Sequence, residues 1–244
     1  MFCLQVWLTN DHHQSQHDFM HEWLTKRQHF LDLLLQQESP PIHGTCEQCG
    51  VNNGIFQCSD CLARPLCCHQ CFMDHHKLLP FHRIQKWNGK YFARTTLFNQ
   101  GYILHLGHGG KACPSNTINN DVWEDVEEGP IGFGGVDLMD DVIHTQSGET
   151  VREGVVDIVH TVGVFRHNVR WCGCHGSPEK AVQLFQTQLF PASHQRPQTA
   201  FTFDVLDYFY IDSMECKTSA SSFYNKICRL TDNAFPHMVT VSVK

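Results

Sequence analysis

The most constraining feature of this sequence is a run of cysteines and histidines between positions 46 and 82. Three Cys-x2-Cys pairs and two later histidines follow one another there: Cys46, Cys49, Cys58, Cys61, Cys68, Cys71, His76 and His82. A Cys-x2-Cys turn places two thiolates on one tetrahedral metal, so eight ligands make two sites. The run predicts two structural zinc ions whose four positions are all taken by protein side chains and whose binding energy drives folding.

Two pairings of these ligands satisfy zinc geometry. In the cross-braced pairing the first and third cysteine pairs hold one ion, and the second pair binds the other with His76 and His82. In the sequential pairing, the first two cysteine pairs, within residues 46–61, hold the first ion. We expect the cross-braced arrangement. Two ligand assignments are ambiguous, because Cys67 is adjacent to Cys68 and His75 is adjacent to His76. The spacing favours Cys68 and His76 as the ligands.

Composition and charge narrow the function classes. The 244 residues are 41% hydrophobic, enough for a buried core, and no run approaches the roughly 20 apolar residues of a membrane span. We therefore expect a soluble chain without a membrane partner. The 13 cysteines cluster with histidines, which indicates metal binding in a reducing, intracellular compartment. The net charge of −7 argues against a protein that coats DNA by charge alone.

The apolar periodicity predicts an α+β fold: a small cross-braced zinc module with an N-terminal amphipathic helix, a β-rich middle and two C-terminal helices. Phe19, Trp23, Phe30 and Leu34 recur at helical spacing, and Ser39-Pro40-Pro41 ends that pattern. The predicted order is a disordered N-terminus (1–18), a helix packed on the domain (19–38), the zinc cross-brace (43–84), a β-rich part with the C-terminal helices (87–233), containing an acidic insertion at about 115–153, and a tail (234–244).

Two further groups of residues are candidate sites. A third zinc site would consist of His108, Cys113, Cys172 and Cys174, if a sheet brings these distant residues together. A nucleic-acid face would consist of Lys86, Trp87, Lys90 and Arg94, because residues 64–111 hold seven basic residues against one acid, interleaved with aromatics. No nucleophile or general-base pattern stands apart from the metal cluster, so we expect neither an enzyme nor a small-molecule substrate.

Motifs along most of the chain, from about Trp23 to Asn233, carry a family resemblance. They are Trp23-Leu24-x2-Arg27, the cluster itself, Pro80-Phe81-His82-Arg83-Ile84-x-Lys86-Trp87-Asn88-Gly89, Leu106-Gly107-His108, Cys113-Pro114, Trp171-Cys172-Gly173-Cys174, Phe190-Pro191-Ala192, Thr199-Ala200-Phe201-Thr202-Phe203 and Thr231-Asp232-Asn233. Together they resemble the CxC type-2 cysteine cluster domain that accompanies fungal KDZ transposases. The cluster alone is similar to a B-box zinc finger. One departure is Phe165, which stands where the family usually has a histidine.

The resemblance implies a zinc-chelating accessory domain that precedes the catalytic core of a KDZ-type transposase. It implies DNA, a protein or the transposase catalytic domain as partner, and a nuclear location. Because the sequence ends where the family's core would begin, we expect a chain truncated before that core. The alternative is a B-box-like adaptor that binds proteins and has no DNA role.

Overall fold

The computed structural model of the protein describes residues 16–39, 44–115 and 154–239. These ranges contain five α-helices, namely α1 (Gln16–Gln37), α2 (His69–His75), α3 (Lys180–Gln186), α4 (Phe203–Cys216) and α5 (Ala220–Thr231). They also contain eight strands, namely β1 (Phe56–Cys58), β2 (Ile84–Trp87), β3 (Phe92–Thr95), β4 (Ile103–His105), β5 (Val155–His160), β6 (Gly163–Arg170), β7 (Leu189–Pro191) and β8 (Thr199–Thr202). The predicted α+β class is confirmed. The acidic insertion and almost all of the predicted disordered N-terminus lie outside the described residues.

The smaller sheet belongs to the cysteine-rich module. Its strands β1, β2 and β3 pair antiparallel in chain order, with Cys58 opposite Ile84 and Gln85 opposite Arg94. The core on this sheet contains cysteines as well as apolar side chains. Cys46, Cys58, Cys67 and Cys68 are buried there together with Phe56, Phe72 and Ile84. The smaller sheet continues to Thr95, the last residue of β3.

The larger sheet has five strands in the order β4, β6, β5, β8, β7. Strands β4 and β6 run parallel, as do β5 and β8, whereas the β5–β6 and β7–β8 pairs are antiparallel. Alternation along β5 sends Val156 and Ile158 into one core with Leu184 of α3, and Val159 into a second core with Phe223 and Ile227 of α5. Helices therefore cover both faces of this sheet.

A small set of side chains joins the cysteine-rich module to the large sheet. Leu104 of β4 packs against both the module's core and the sheet's core. Phe81 stacks on His160 of β5 with ring centroids 4.8 Å apart. Tyr102 lies 5.4 Å from the ring of His167 and donates its hydroxyl hydrogen bond to the Lys77 carbonyl over 2.9 Å. The two parts of the chain thus share one packed junction.

The C-terminal helices form where the sequence predicts them. Thr202 caps α4 by accepting from the Val205 N–H at 3.3 Å, and Ser219 caps α5 by accepting from the Ser222 N–H at 3.2 Å. The first residues of the predicted tail also pack, because Val239 is buried beside α5. The sequence patterns do not predict helices α2 and α3 or strands β1, β2, β7 and β8 as separate elements.

Helix α1 covers the predicted segment but buries no part of it. Every residue from 17 to 39 is exposed, including Trp23 at 61% and Leu34 at 60%. An i,i+4 ion pair lies on the helix surface, with Lys26 Nζ 2.7 Å from a Glu22 carboxylate oxygen. The helix therefore does not pack on the described part of the domain, because none of its residues belongs to the three hydrophobic cores described there. No helix of the described ranges is long and apolar enough to cross a membrane.

Candidate metal centres

Three groups of four ligand atoms lie close together in the part of the chain that the structure describes. Within each group all the sulfur and ring-nitrogen atoms are within 4.8 Å of one another. Site 1 is Cys46, Cys49, Cys68 and Cys71; site 2 is Cys58, Cys61, His76 and His82; site 3 is His108, Cys113, Cys172 and Cys174. The first two groups follow the cross-braced pairing and not the sequential one.

Site 1 is made by two turns that approach from different parts of the chain. The first turn is closed by the Gly50 N–H, which donates to the Cys46 carbonyl at 2.8 Å, and Gly50 adopts a φ of +65° that favours glycine. The second turn leads into α2, which carries Cys71. Although burial raises the pKa of Cys46, backbone N–H groups of Cys68, Cys49 and Gln48 lower it to about 6. These N–H groups stabilise the thiolate form that binds metal.

Site 2 has the edge lengths of a zinc tetrahedron. Bonds of about 2.3 Å to sulfur and about 2.0 Å to nitrogen place a sulfur and a nitrogen about 3.6 Å apart in that geometry. Nδ1 of His82 is 3.3 Å from the Cys58 sulfur and 3.5 Å from the Cys61 sulfur, and Nε2 of His76 is 3.6 Å from the Cys61 sulfur. The four side chains therefore surround a position that a zinc ion fits.

Neighbouring groups orient both histidines of site 2. His76 donates from Nδ1 to the Phe72 carbonyl at 2.9 Å, so that Nε2 carries the lone pair that faces Cys61. Burial lowers the pKa of His76, which favours the neutral ring that binds metal. Asp60 fixes the chain beside His82, because its carboxylate accepts from both the backbone N–H and the guanidinium of Arg83. No sequence pattern predicts this contact, because Asp60 and Arg83 lie 23 residues apart.

The structure distinguishes the two ambiguous ligand positions. Cys67 forms a β-bridge with Phe56, and successive residues of an extended chain point to opposite sides, so its thiol enters the apolar core while that of Cys68 faces site 1. Burial raises the pKa of Cys67 to about 11, which keeps this thiol neutral. His75 is exposed on α2, whereas His76 is buried at site 2.

Site 3 lies at one end of the large sheet. Strands β4 and β6 are parallel neighbours with His105 opposite Arg170, so both chains leave the sheet at the same edge. The loop after β4 carries His108 and Cys113, and the loop after β6 carries Cys172 and Cys174. Parallel pairing therefore joins ligands that lie more than 60 residues apart in sequence.

The distances at site 3 match those at site 2. Nε2 of His108 is 3.2 Å from the Cys172 sulfur and 3.5 Å from the Cys174 sulfur. The Cys113 sulfur lies 3.8 Å from that of Cys172 and 3.6 Å from that of Cys174, against about 3.8 Å between two sulfurs on zinc. The hydroxyl of Ser115 donates to the Cys174 sulfur at 3.2 Å.

A strained turn presents His108 to site 3. His108 has a φ of +48°, a conformation that costs a residue with a side chain of order 1 kcal/mol. Gly107 before it has a φ of +87°, and a Cβ there would lie 3.2 Å from the Cβ of Cys172. Glycine is therefore required at 107 both by the turn and by the close approach of the second loop.

The donor sets fit zinc at all three sites. Four cysteines, two cysteines with two histidines, and three cysteines with one histidine are the usual ligand sets of structural zinc. Each group supplies four protein ligands whose donor atoms lie within 4.8 Å of one another. Phe165, at the position of the family's usual histidine, packs near Phe81 with ring centroids 5.8 Å apart, and site 3 has its four ligands without it.

The residues of the predicted nucleic-acid face do not share one surface. Lys86 faces the module's core side, opposite Phe56 and with Nζ 5.9 Å from that ring's centroid. Trp87 and Arg94 point to the other face of the sheet, because side chains alternate along β2 and cross-strand partners share a face. Lys90 lies in the turn between β2 and β3, and Arg94 donates to the Thr231 carbonyl of α5 over 3.1 Å. Alternation along β2 is the reason for the split.

Comparison with protein families gives one match. Residues 143–235 match the family model described as a CxC2-like cysteine cluster associated with KDZ transposases. This match confirms the resemblance for the C-terminal part of the chain, and the resemblance of the residues before 143 stays a prediction. It includes Cys172 and Cys174 of site 3 with helices α3 to α5, whereas sites 1 and 2 precede the matched stretch. No curated protein and no solved structure matches the chain.

Proposed function

We propose that this chain is a zinc-stabilised recognition module of a KDZ-type transposase, that it binds three zinc ions, and that it has no catalytic activity of its own. The observation that carries the proposal is the assembly of three complete sets of zinc ligands, two in the cysteine-rich module and one at the end of the large sheet. The family match at residues 143–235 supports the link to KDZ transposases. The count of three exceeds the two ions that the sequence predicts.

The ligand sets favour a structural role for the metal. A catalytic zinc keeps a position open for water or substrate, whereas each group here offers four protein ligands to one tetrahedral ion. Zinc bound in this way supplies folding free energy and fixes the loops that hold it. Recognition would then depend on the surfaces that these rigid loops and helices present.

A protein partner is favoured over DNA by the distribution of charge. The basic residues of β2 and β3 are divided between two faces, and Arg94 is engaged by α5. A loaded four-cysteine site carries a formal charge of −2, because four thiolates exceed the charge of the ion, and a three-cysteine site carries −1. Such sites weaken the attraction of phosphate for the nearby lysines. The exposed apolar face of α1 is a surface suited to a polypeptide.

DNA binding is the second candidate, supported by the excess of basic residues between 64 and 111. Retention on DNA at increasing salt separates the two candidates. A DNA-binding module loses affinity by about 10³-fold or more between 50 and 200 mM salt if it neutralises six or more phosphates. Replacing Lys86, Lys90 and Arg94 with glutamate would then abolish retention, and unchanged retention would assign these residues to a solvated surface.

Metal content tests the proposal directly. Native mass spectrometry of protein purified under reducing, zinc-replete conditions should give three zinc ions per chain. Cys68→Ser should lose the same ion as Cys46→Ser and leave site 2 loaded, whereas sequential pairing requires that Cys68→Ser disturb the ion held by His82. A wild-type content of two ions, unchanged by Cys172→Ser, would exclude site 3, and a content near zero would overturn the proposal.

A further inference from the structure

The loop that carries two ligands of site 3 is held by a glutamine of the neighbouring helix. Gln183 of α3 is only 4% exposed, and its side-chain amide reaches both ends of that loop. Its oxygen accepts from the Cys172 N–H at 2.8 Å, while its nitrogen donates to the Cys172 carbonyl at 3.1 Å and to the Pro178 carbonyl at 2.8 Å. The amide orientation is fixed, because a flipped amide would set an NH₂ group against the Cys172 N–H.

These contacts lock the backbone on which a metal ligand is carried. Both peptide groups that flank the Cα of Cys172 are tied to one rigid side chain, and Pro178 closes the loop on the same amide. Much of the loop between them is exposed, so side-chain packing does little to hold it. Leu184, the next residue of α3, is fully buried in the sheet core and anchors the helix that positions Gln183.

We propose that Gln183 is a positioning residue for site 3, and that its side-chain amide holds Cys172 and Cys174 in place for the metal ion. This inference rests on the proposed zinc site at His108, Cys113, Cys172 and Cys174. Hydrogen-bond partners behind metal ligands contribute about 10- to 100-fold to metal affinity, because they remove the cost of ordering the ligands at the moment of binding. Gln183 has this role without touching the metal itself.

Gln183→Met tests the proposal, because methionine is close in size to glutamine and forms none of the three hydrogen bonds. Zinc affinities of the full chain, measured by competition with a chromophoric chelator, should fall about 10- to 100-fold at site 3 and stay unchanged at sites 1 and 2. Cobalt substitution identifies the site, since a three-sulfur, one-nitrogen ligand set absorbs differently from the other two. Unchanged affinity for the third ion would overturn the proposal.

Two controls separate positioning from general stability. Val205→Ala, in the core on the opposite face of the large sheet, should lower the thermal midpoint without changing the affinity of site 3 in the folded protein. Gln183→Met should lower the midpoint more in the zinc-loaded wild type than in a Cys174→Ser background, where site 3 is already broken but the partners of Gln183 remain. Equal losses in both backgrounds would make Gln183 a purely structural residue. A wild type with two ions would instead exclude site 3 itself, which is a distinct result.

Discussion

At the scale of single residues, the lack of a side chain at Gly107 lets the loop of Cys172 come close to the loop of His108. Gly107 combines a φ of +87° with a predicted Cβ contact of 3.2 Å to Cys172, while Gly101 has a similar φ of +79° and open space around its Cα. The two glycines thus share the backbone requirement, and only Gly107 has the close approach.

Gly107→Ala should therefore cost the protein its third zinc ion, whereas Gly101→Ala should not. Both changes impose backbone strain of about 1 kcal/mol, but only the methyl group at 107 pushes against the loop of Cys172. Zinc content and thermal midpoint of the two variants provide the comparison. Equal zinc contents with equal losses of stability would contradict the role of close packing at 107.

A buried histidine makes the junction between the module and the large sheet sensitive to acid. His167 is 1% exposed among Phe81, Tyr102 and Phe165, and neither ring nitrogen has a hydrogen-bond partner of normal geometry. Burial lowers its pKa to about 4, against a small opposing effect of the Pro80 backbone. The folded protein therefore holds this ring neutral while the unfolded chain binds a proton near pH 6.5.

His167→Phe should flatten the pH dependence of stability. Between the two pKa values the unfolded state binds more protons, so the free energy of unfolding falls as pH falls, by about 2 kcal/mol between pH 7 and pH 5. Phenylalanine fits an aromatic surrounding and removes this dependence. Urea unfolding at pH 7 and pH 5 gives the free energy of unfolding of the zinc-saturated wild type and of the variant. Protonation of the metal ligands affects both proteins equally, so it cancels in the difference between their free energies. Parallel pH profiles would be inconsistent with this account.

At the scale of elements, α1 and α5 both carry apolar residues at helical spacing but differ in burial. Phe223 and Ile227 of α5 are buried against the large sheet, and the α5 residue Thr231 accepts from the Val164 N–H at 2.8 Å. The apolar residues of α1 are exposed along its whole length, which is about 33 Å for 22 residues. Apolar residues recur at helical spacing in both helices, but among the described residues only α5 packs them against the large sheet.

Substitutions on α1 should therefore leave the stability of the chain unchanged. The triple change Leu24→Glu, Leu31→Glu and Leu35→Glu should shift the midpoint of denaturant unfolding little, because these side chains are already in contact with solvent. Phe223→Ala on α5 is the matched contrast and should cost about 3 to 5 kcal/mol. A large loss for the α1 variant would show that this helix packs within the chain in solution.

At the scale of the whole molecule, candidate metal ligands contribute to the core of one part of the chain and not to the cores of the other. Four of the nine buried residues in the module's core are cysteines, and three of these are ligands of sites 1 and 2. The two cores of the large sheet contain aliphatic and aromatic side chains and no cysteine. Under the proposed zinc assignment, metal binding would supply much of the stability of the module, whereas at the large sheet it would only tie together two loops at one end.

Chelation should therefore unfold the molecule unevenly. Closed zinc sites contribute folding free energy of order 10 kcal/mol, so removing zinc should abolish amide protection between residues 44 and 95, while β5, β6 and β8 retain theirs. Hydrogen exchange followed by mass spectrometry resolves the two regions. Loss of protection in both regions at the same chelator concentration would mean that the junction at Phe81 and Tyr102 makes the molecule one cooperative unit.

Local sequence determined the features whose physics is local. The spacing of Cys46 to His82 specified two four-ligand sets, because a Cys-x2-Cys turn brings its own sulfurs together, and apolar periodicity located α1, α4 and α5. The short elements α2, α3, β1, β2, β7 and β8 escaped prediction because segments of three to seven residues carry too little periodicity. The signal for site 3 was present only as a set of distant residues.

Tertiary structure decided what depends on pairing between distant segments. Parallel pairing of β4 with β6 brings His108 and Cys113 to Cys172 and Cys174, and no local pattern encodes which strands become neighbours. Alternation along β2 and its pairing with β3 placed Lys86 and Arg94 on opposite faces, although charge density suggested one surface. The sequence by itself determined which residues can bind zinc and which segments form helices. The three-dimensional contacts decided where the third site assembles and which apolar faces are buried, since both require surfaces that only the folded chain brings together.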